Sequence, residues 1–304
     1  MNPLKPLDLS VIVVSWNTRE LLRGCLQSAL ANLGTLSAEI IVVDNASVDD
    51  SAGMVQKVFG DDPRVRLIAN SRNEGFARGN NQAFAVARGE FLAIVNPDIV
   101  FRGPALGSLL EHLREHPKAG IATCNLVGAD GLPQSLHRTF PTLPIVFCRW
   151  TRVGRRIDRW LLGGSVGRRY QLMHLRRTGV TAIDQAAAAC LMIERPTVER
   201  IGGLFDERFP IFFNDVDLSR RVWNAGLEVH VLYDVSVVHH GGASIKQMRP
   251  GRKTLELMDG LERYYDLHEP RWKARLVRLM VSANRRRAAR AAANAAPAMT
   301  STRS

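Results

Sequence analysis

Asp44, Asp98, Asp215, His239 and His240 stand where acid, base or metal chemistry needs them, because each ends or opens an element that the apolar pattern predicts. Residues 91–95 (FLAIV) form an apolar run that stops at Asn96-Pro97-Asp98. A carboxylate cannot stay buried unpaired, so Asp98 is delivered to a strand end, the rim where open α/β sheets bind ligands. Residues 39–45 (EIIVVDN) present Asp44 in the same way. Residues 211–226 place Asp215 at a helix start, with Leu218, Val222 and Ala225 as an apolar face and Gly226 as the stop. The β-rich runs 227–233 and 235–238 finish at His239-His240-Gly241-Gly242. Carboxylates and imidazoles gathered at such a rim can hold a divalent cation, and a carboxylate within reach of a hydroxyl can take its proton. Each also has a plain structural use. Asp44 can cap a turn, Asp215 can be an N-cap worth about 1 kcal/mol, a histidine after a strand can be structural, and Asp217 can complement the helix dipole.

The positioning elements follow from the same pattern. Residues 9–16 (LSVIVVSW) are a β-branched run, and a helical pattern with Leu21, Leu22, Cys25, Leu26, Ala29 and Leu30 leads to the second run at 39–45. A helix over 51–59 and a short strand over 65–70 come next. Near-continuous apolar strands alternating with amphipathic helices predict a mostly parallel sheet covered on both faces. Residues 73–81 (NEGFARGNN) open a helix that runs to about Arg88; its free N–H groups suit a diphosphate cradle or an ordinary capped helix. The segment is not GxGxxG and does not follow the first strand, which argues against a dinucleotide dehydrogenase. Pro104 opens a helix to 116, residues 126–140 read as a hairpin around 129–131, and 189–193 is a further strand before a short helix begun by Pro196.

The 304 residues, 46% hydrophobic, can bury one large core or two modest ones. Four isolated cysteines read as reduced buried thiols. The N-terminal segment lacks a signal-peptide pattern and no apolar run approaches the ~20 residues of a membrane span, so the chain is expected to be cytoplasmic and non-spanning. The net charge of +12 is concentrated: residues 149–177 hold nine Arg against Asp158 alone, and 271–304 hold nine Arg or Lys and no acid, leaving the remainder mildly acidic. No nucleic-acid motif accompanies that charge, so no nucleic-acid partner is expected. Trp150, Val153, Ile157, Trp160 and Leu161 recur at helical spacing with Arg149, Arg152, Arg155, Arg156 and Arg159 largely on the other face. That composition suits an interfacial helix touching membrane or a lipid-linked substrate, or a solvated surface helix whose tryptophans pack on the domain.

The ordered series VIVVSWN, VVDNAS, NEGFARGNN, VNPD, GGLFDERF, NDVDLSRR and VVHHGGAS, over about residues 8–246, resembles family 2 glycosyltransferases of the GT-A fold, especially the rhamnosyltransferase-like branch. The resemblance implies an α/β GT-A domain over 1–246, with a nucleotide-sugar half at about 8–124 and an acceptor half at about 125–246. A basic amphipathic insertion at about 145–178, a helical extension over 247–282 and a flexible Ala/Arg-rich tail over 283–304 complete the expected organisation. Carried over by position, Ser15 and Asn17 border the nucleoside, Asp44 binds the base, and Asn73 and Asn80 lie near the ribose and diphosphate. Asn96 and Asp98 occupy the DxD position, Asn96 towards the ribose and Asp98 on a divalent cation, Mg2+ or Mn2+, with His239 a further metal or diphosphate ligand. Asp215 is the implied catalytic base. The implied reaction inverts the anomeric carbon, moving a sugar, rhamnose from dTDP-rhamnose as the best guess, to a hydroxyl of a lipid-linked or polysaccharide acceptor. The basic segments would meet anionic lipid at the inner membrane face. Three departures stand out: Asn96 replaces the first acid of DxD, Asn214 replaces the acid usual before the base, and Ala186 to Ala189 replace a Gly-containing segment. Asn96 and Asn214 also permit a catalytically inactive, membrane-docking module.

Overall fold

The computed structural model describes residues 7–242, 247–248 and 250–294, so the expected domain end at 246 and residues 295–304 of the tail lie outside the described residues. In chain order the first half contains β1 (Leu7–Ser15), α1 (Arg19–Ala31), β2 (Ala38–Asp44), α2 (Ser51–Phe59), β3 (Val65–Ala69), α3 (Phe76–Val86), β4 (Gly89–Val95), β5 (Ile99–Phe101), α4 (Ala105–Glu115) and β6 (Ala119–Val127). It continues with α5 (Leu143–Trp150), α6 (Arg152–Trp160), α7 (Ser165–Tyr170), β7 (Val180–Ala182), β8 (Cys190–Glu194), α8 (Arg195–Arg200), α9 (Asn214–Asn224) and β9 (Glu228–His239). Two long helices follow, α10 (Arg252–His268) and α11 (Arg271–Asn294). The chain divides into two compact units, residues 1–140 with 169–244, and residues 141–168 with 245–304. The basic insertion is therefore split: residues up to 168 group with the C-terminal helices and those from 169 with the sheet.

The first unit is built on a sheet of strand order β3-β2-β1-β4-β8-β6-β9-β5, with β7 on β9. Among the described residues only β5, β7 and β8 oppose the common strand direction. Side-chain alternation explains why its strands read as unbroken apolar runs. Leu9, Val11 and Val13 of β1 pack with Leu22, Leu26 and Phe91 in one core, while Ile12 and Val14 face Ala77, Leu218 and Val222 in the other. Each fully buried side chain of this kind stabilises the fold by about 1.5–3 kcal/mol over its exposed state. Parallel register aligns Ser15 with Asp44 and Val13 with Val95, so the ends of β1, β2 and β4 form one rim. The four cysteines are buried and unpaired.

Several expectations are corrected. The runs 227–233 and 235–238 form one strand, β9, because a register shift against β6 between Cys124 and Asn125 absorbs the interruption. Residues 126–140 do not form a two-stranded hairpin. A turn closed by Gly128 N–H to the Leu132 carbonyl (2.8 Å) leaves a single bridge, Val127 with Pro133, before the chain turns away. Asp217 does more than complement a dipole. It is buried against Arg221 at 2.8 Å, and the Arg221 guanidinium donates to the carbonyls of Ile201, Gly203 and Leu204, fastening that turn onto α9.

In the second unit, α5, α6, α10 and α11 bury Ile145, Val146, Leu261, Tyr265, Val277 and Val281. Tyr265 Oη donates to the Pro141 carbonyl and Asn284 to that of Trp150. Helix α11 continues through residues 283–294, so this part of the expected flexible tail is helical, held by Arg285 against Asp259 (2.6 Å) and Glu262 (3.0 Å). Helix α6 buries Gly154 and Asp158, whose carboxylate accepts the Val166 and Gly167 N–H groups at 3.0 and 3.1 Å. Its expected apolar face is turned outward instead: Val153, Trp160 and Leu161 are 60, 76 and 78% exposed. Among the described residues no helix is long and apolar enough to cross a membrane.

Candidate active site

Asp98 and His239, 141 positions apart in sequence, meet because β5 pairs with β9 so that Ile99 lies opposite His239. The backbone repeats the link, His240 N–H donating to the Asp98 carbonyl at 3.0 Å. Both side chains are buried, and Nε2 of His239 is 3.5 Å from Oδ1 of Asp98. That Oδ1 has no hydrogen-bond partner, which is costly for a buried carboxylate oxygen. Burial holds the His239 imidazole below its ordinary pKa, although the Asp98 charge pulls the other way. A neutral imidazole facing an unsatisfied carboxylate oxygen is a donor set that a divalent cation fits. Among the described residues no cluster of three or more His, Cys, Asp or Glu side chains forms a complete protein cage. Such a pair leaves coordination positions for substrate phosphate and water, as Mg2+ sites commonly do.

Asp44 closes the turn after β2, its Oδ2 accepting the Ser47 N–H at 3.0 Å, while its buried Oδ1 has no hydrogen-bond partner. An oxygen held in that state can accept from an outside donor. Ser15 is buried with Oγ 2.9 Å from Thr18 Oγ1. Asn17 adopts a positive φ of 51°, a conformation Asn tolerates, and its Oδ1 accepts the Val48 N–H at 2.8 Å. These two therefore shape the loops around Asp44. Asn73 closes its own turn, Oδ1 accepting the Gly75 N–H at 2.9 Å. Asn80 is fully buried within α3, its amide donating to the Phe76 carbonyl and its Oδ1 lacking a hydrogen-bond partner. The opening N–H groups of α3, on Phe76 and Ala77, both donate to the Pro210 carbonyl. They cap a helix here rather than standing free for a diphosphate.

Asp215 is the second residue of α9, after Asn214 and the N-cap Phe213, which takes a positive φ of 66°. Its carboxyl is half-buried, and burial pushes its pKa above the ordinary 3.8, opposed by donors from Val216, Ala188 and the Gln185 side chain. The segment 185–189 touches both halves of the site. Ala188 and Gln185 serve Asp215, and the Ala189 carbonyl accepts the N–H of half-buried Asn96 at 2.8 Å. His137 braces this segment from behind. The Ala187 N–H donates to Nδ1, so Nε2–H donates to the Cys124 carbonyl, at 3.1 and 3.0 Å.

Gln134, Gln185, His137 and Pro210 escaped the sequence reading. Gln134 approaches His239 across 105 positions, with its Nε2 2.8 Å from the His239 carbonyl and its Oε1 2.7 Å from Nδ1. No local periodicity signals a contact of that range; the one available sign was a polar residue just beyond a turn.

A family model described as glycosyl transferase family 2 matches residues 10–181, more than half of the chain. The chain belongs to glycosyltransferase family 2. It is 35% identical over 136 residues to the succinoglycan biosynthesis protein ExoO of Rhizobium meliloti, covering 43% of this chain and 38% of that protein. It is 26% identical over 219 residues to the N-acetylglucosaminyl-diphospho-decaprenol L-rhamnosyltransferase of Mycobacterium tuberculosis, covering 66% of each. The chain spans 17 to 38% of the length of four relatives it matches, ExoO among them. The solved mannosyltransferase PcManGT from Pyrobaculum calidifontis, in complex with GDP-Man and Mn2+, superposes with a TM-score of 0.58 at 19% identity, over 97% of this chain and 77% of that one. Family 2 membership and this likeness establish the GT-A fold.

Proposed function

We propose that this family 2 chain is an inverting glycosyltransferase that moves a sugar from a nucleoside-diphosphate donor to an acceptor hydroxyl. The observation that carries the reading is the pairing of two unsatisfied strand-end carboxylate oxygens, Asp44 Oδ1 and Asp98 Oδ1, with a half-buried carboxyl of raised pKa at Asp215. Asp44 accepts an N–H of the nucleobase, and Asn96 faces the ribose. Asp98 and His239 would hold Mg2+ or Mn2+, which when bound would supply positive charge against that developing on the departing diphosphate. Asp215 accepts the proton of the acceptor hydroxyl as its oxygen bonds to the anomeric carbon and the bond to the diphosphate oxygen breaks. One such displacement inverts the anomeric configuration.

The name of the mycobacterial relative, an L-rhamnosyltransferase acting on a diphospho-decaprenol, supports rhamnose as the sugar and a lipid-linked acceptor, and dTDP-rhamnose is the donor proposed here. The acceptor proposed here is accordingly a lipid-linked or polysaccharide hydroxyl, met at the inner face of a cytoplasmic membrane. Exposed Val153, Trp160 and Leu161, flanked by exposed Arg152, Arg155, Arg156 and Arg159, favour peripheral contact with anionic lipid. A thermal-shift screen of nucleotide sugars with Mn2+ tests the donor. The reading predicts the largest stabilisation by dTDP-rhamnose, lost in Asp44→Ala. No stabilisation by any donor, with or without metal, would favour a catalytically inactive docking module instead.

A further inference from the structure

Gln134 grips one residue at two points. Its amide nitrogen donates to the His239 carbonyl, and its Oε1 meets Nδ1 of the same residue's ring, at 2.8 and 2.7 Å. A backbone carbonyl only accepts, so the amide nitrogen must face it, and the other end of the amide must be oxygen. That oxygen also only accepts, so Nδ1 carries the ring proton. In the neutral ring the lone pair then lies on Nε2, the atom 3.5 Å from the unpartnered Oδ1 of Asp98. Nε2 and Oδ1 thus face each other across 3.5 Å. The backbone explains how Gln134 reaches this place. Its N–H donates to the Leu126 carbonyl at 2.7 Å, on the strand whose Val127 pairs with Val238 beside His239.

We infer that Gln134 is the positioning residue of the cation site: it selects the Nδ1–H tautomer of His239 and holds Nε2 towards Asp98, leaving both side chains as the groups that would hold a divalent cation. The inference rests on the metal reading proposed above and adds a residue that touches neither cation nor substrate. Partners of this kind orient a metal-binding ring and raise its basicity.

The test compares wild type with Gln134→Leu, which removes both hydrogen bonds, and Gln134→Glu, which keeps an acceptor for Nδ1–H. Long-range 1H–15N correlation spectra of metal-free protein, with His239→Gln identifying the signal, read the tautomer. Electron paramagnetic resonance of free Mn2+, with dTDP, UDP and GDP in turn, reads affinity. Expected are the Nδ1–H tautomer in wild type and Gln134→Glu, its loss in Gln134→Leu, and Mn2+ binding about 10–100-fold weaker in Gln134→Leu alone. An Nε2–H tautomer in wild type overturns the inference. So does Mn2+ affinity in folded Gln134→Leu within about twofold of wild type, which leaves the metal reading standing. Wild type that binds no Mn2+ with any of the three nucleotides overturns the metal reading and this inference together. Should Gln134→Leu fail to fold, the wild-type tautomer and the Gln134→Glu affinity decide.

Discussion

Asp215 carries a conflict at the scale of one residue, since burial raises its pKa while the proposed base must be ionised to act. The sign is definite. A carboxyl titrating above 3.8 makes kcat/KM fall on the acid side with a midpoint above that value, and removing the Gln185 donor moves the midpoint higher. A pH profile of Gln185→Leu whose acid limb coincides with that of wild type would contradict the assignment. The same shift has a stability consequence. A folded pKa above the unfolded one means that ionised Asp215 costs stability at every pH above 3.8, and the cost vanishes below it. Asp215→Asn is therefore expected to melt no lower than wild type at pH 7, and a lower melting temperature would show that the carboxylate is structurally required. The acids were legible in the sequence because a carboxylate ending an apolar run has few places to go. Gln134 was not, because an amide can sit anywhere on a surface and declares its role only through its partners.

At the scale of elements, the strands and helices around the rim were legible because their apolar runs are buried on both faces. Helix α2 falls on residues 51–59 as its pattern predicts. Less legible was how segments without periodicity are fixed, since 126–140 and 185–189 are held by long-range hydrogen bonds. His137 shows the consequence. Burial depresses its pKa from 6.5 to about 4, so its contribution to stability is present above pH 6.5 and is lost as pH falls towards 4. Linkage puts that loss at about 3 kcal/mol. Denaturation midpoints of wild type and His137→Gln should therefore converge between pH 6.5 and 4, and a difference independent of pH would contradict a neutral, buried His137. The opening of α3 was ambiguous in sequence for a related reason. The acceptor that takes its N–H groups, the Pro210 carbonyl, belongs to a loop more than 130 residues away.

Across the whole molecule the charge pattern follows the contacts only in part: both basic stretches contribute to the helical unit, but Arg169, Arg176 and Arg177 belong to the sheet unit. Sequence periodicity identified an amphipathic α6 but not which face the unit would bury, because a buried Asp158 capping α7 outweighs the apolar stripe. Trp160→Ser with Leu161→Ser is expected to reduce flotation with anionic vesicles by at least about tenfold, the effect of withdrawing two large apolar side chains from lipid. Unchanged flotation would remove this face from membrane binding. The central claim concerns the whole molecule at work and is tested by turnover. The protein is incubated with the donor that stabilises it most, Mn2+ or Mg2+ and a lipid-linked or polysaccharide acceptor, and nucleoside-diphosphate release is measured for wild type, Asp98→Ala and Asp215→Asn. Metal-dependent release by wild type, loss of donor binding in Asp98→Ala, and silent but donor-binding Asp215→Asn are predicted. Undiminished turnover by Asp215→Asn would contradict the account.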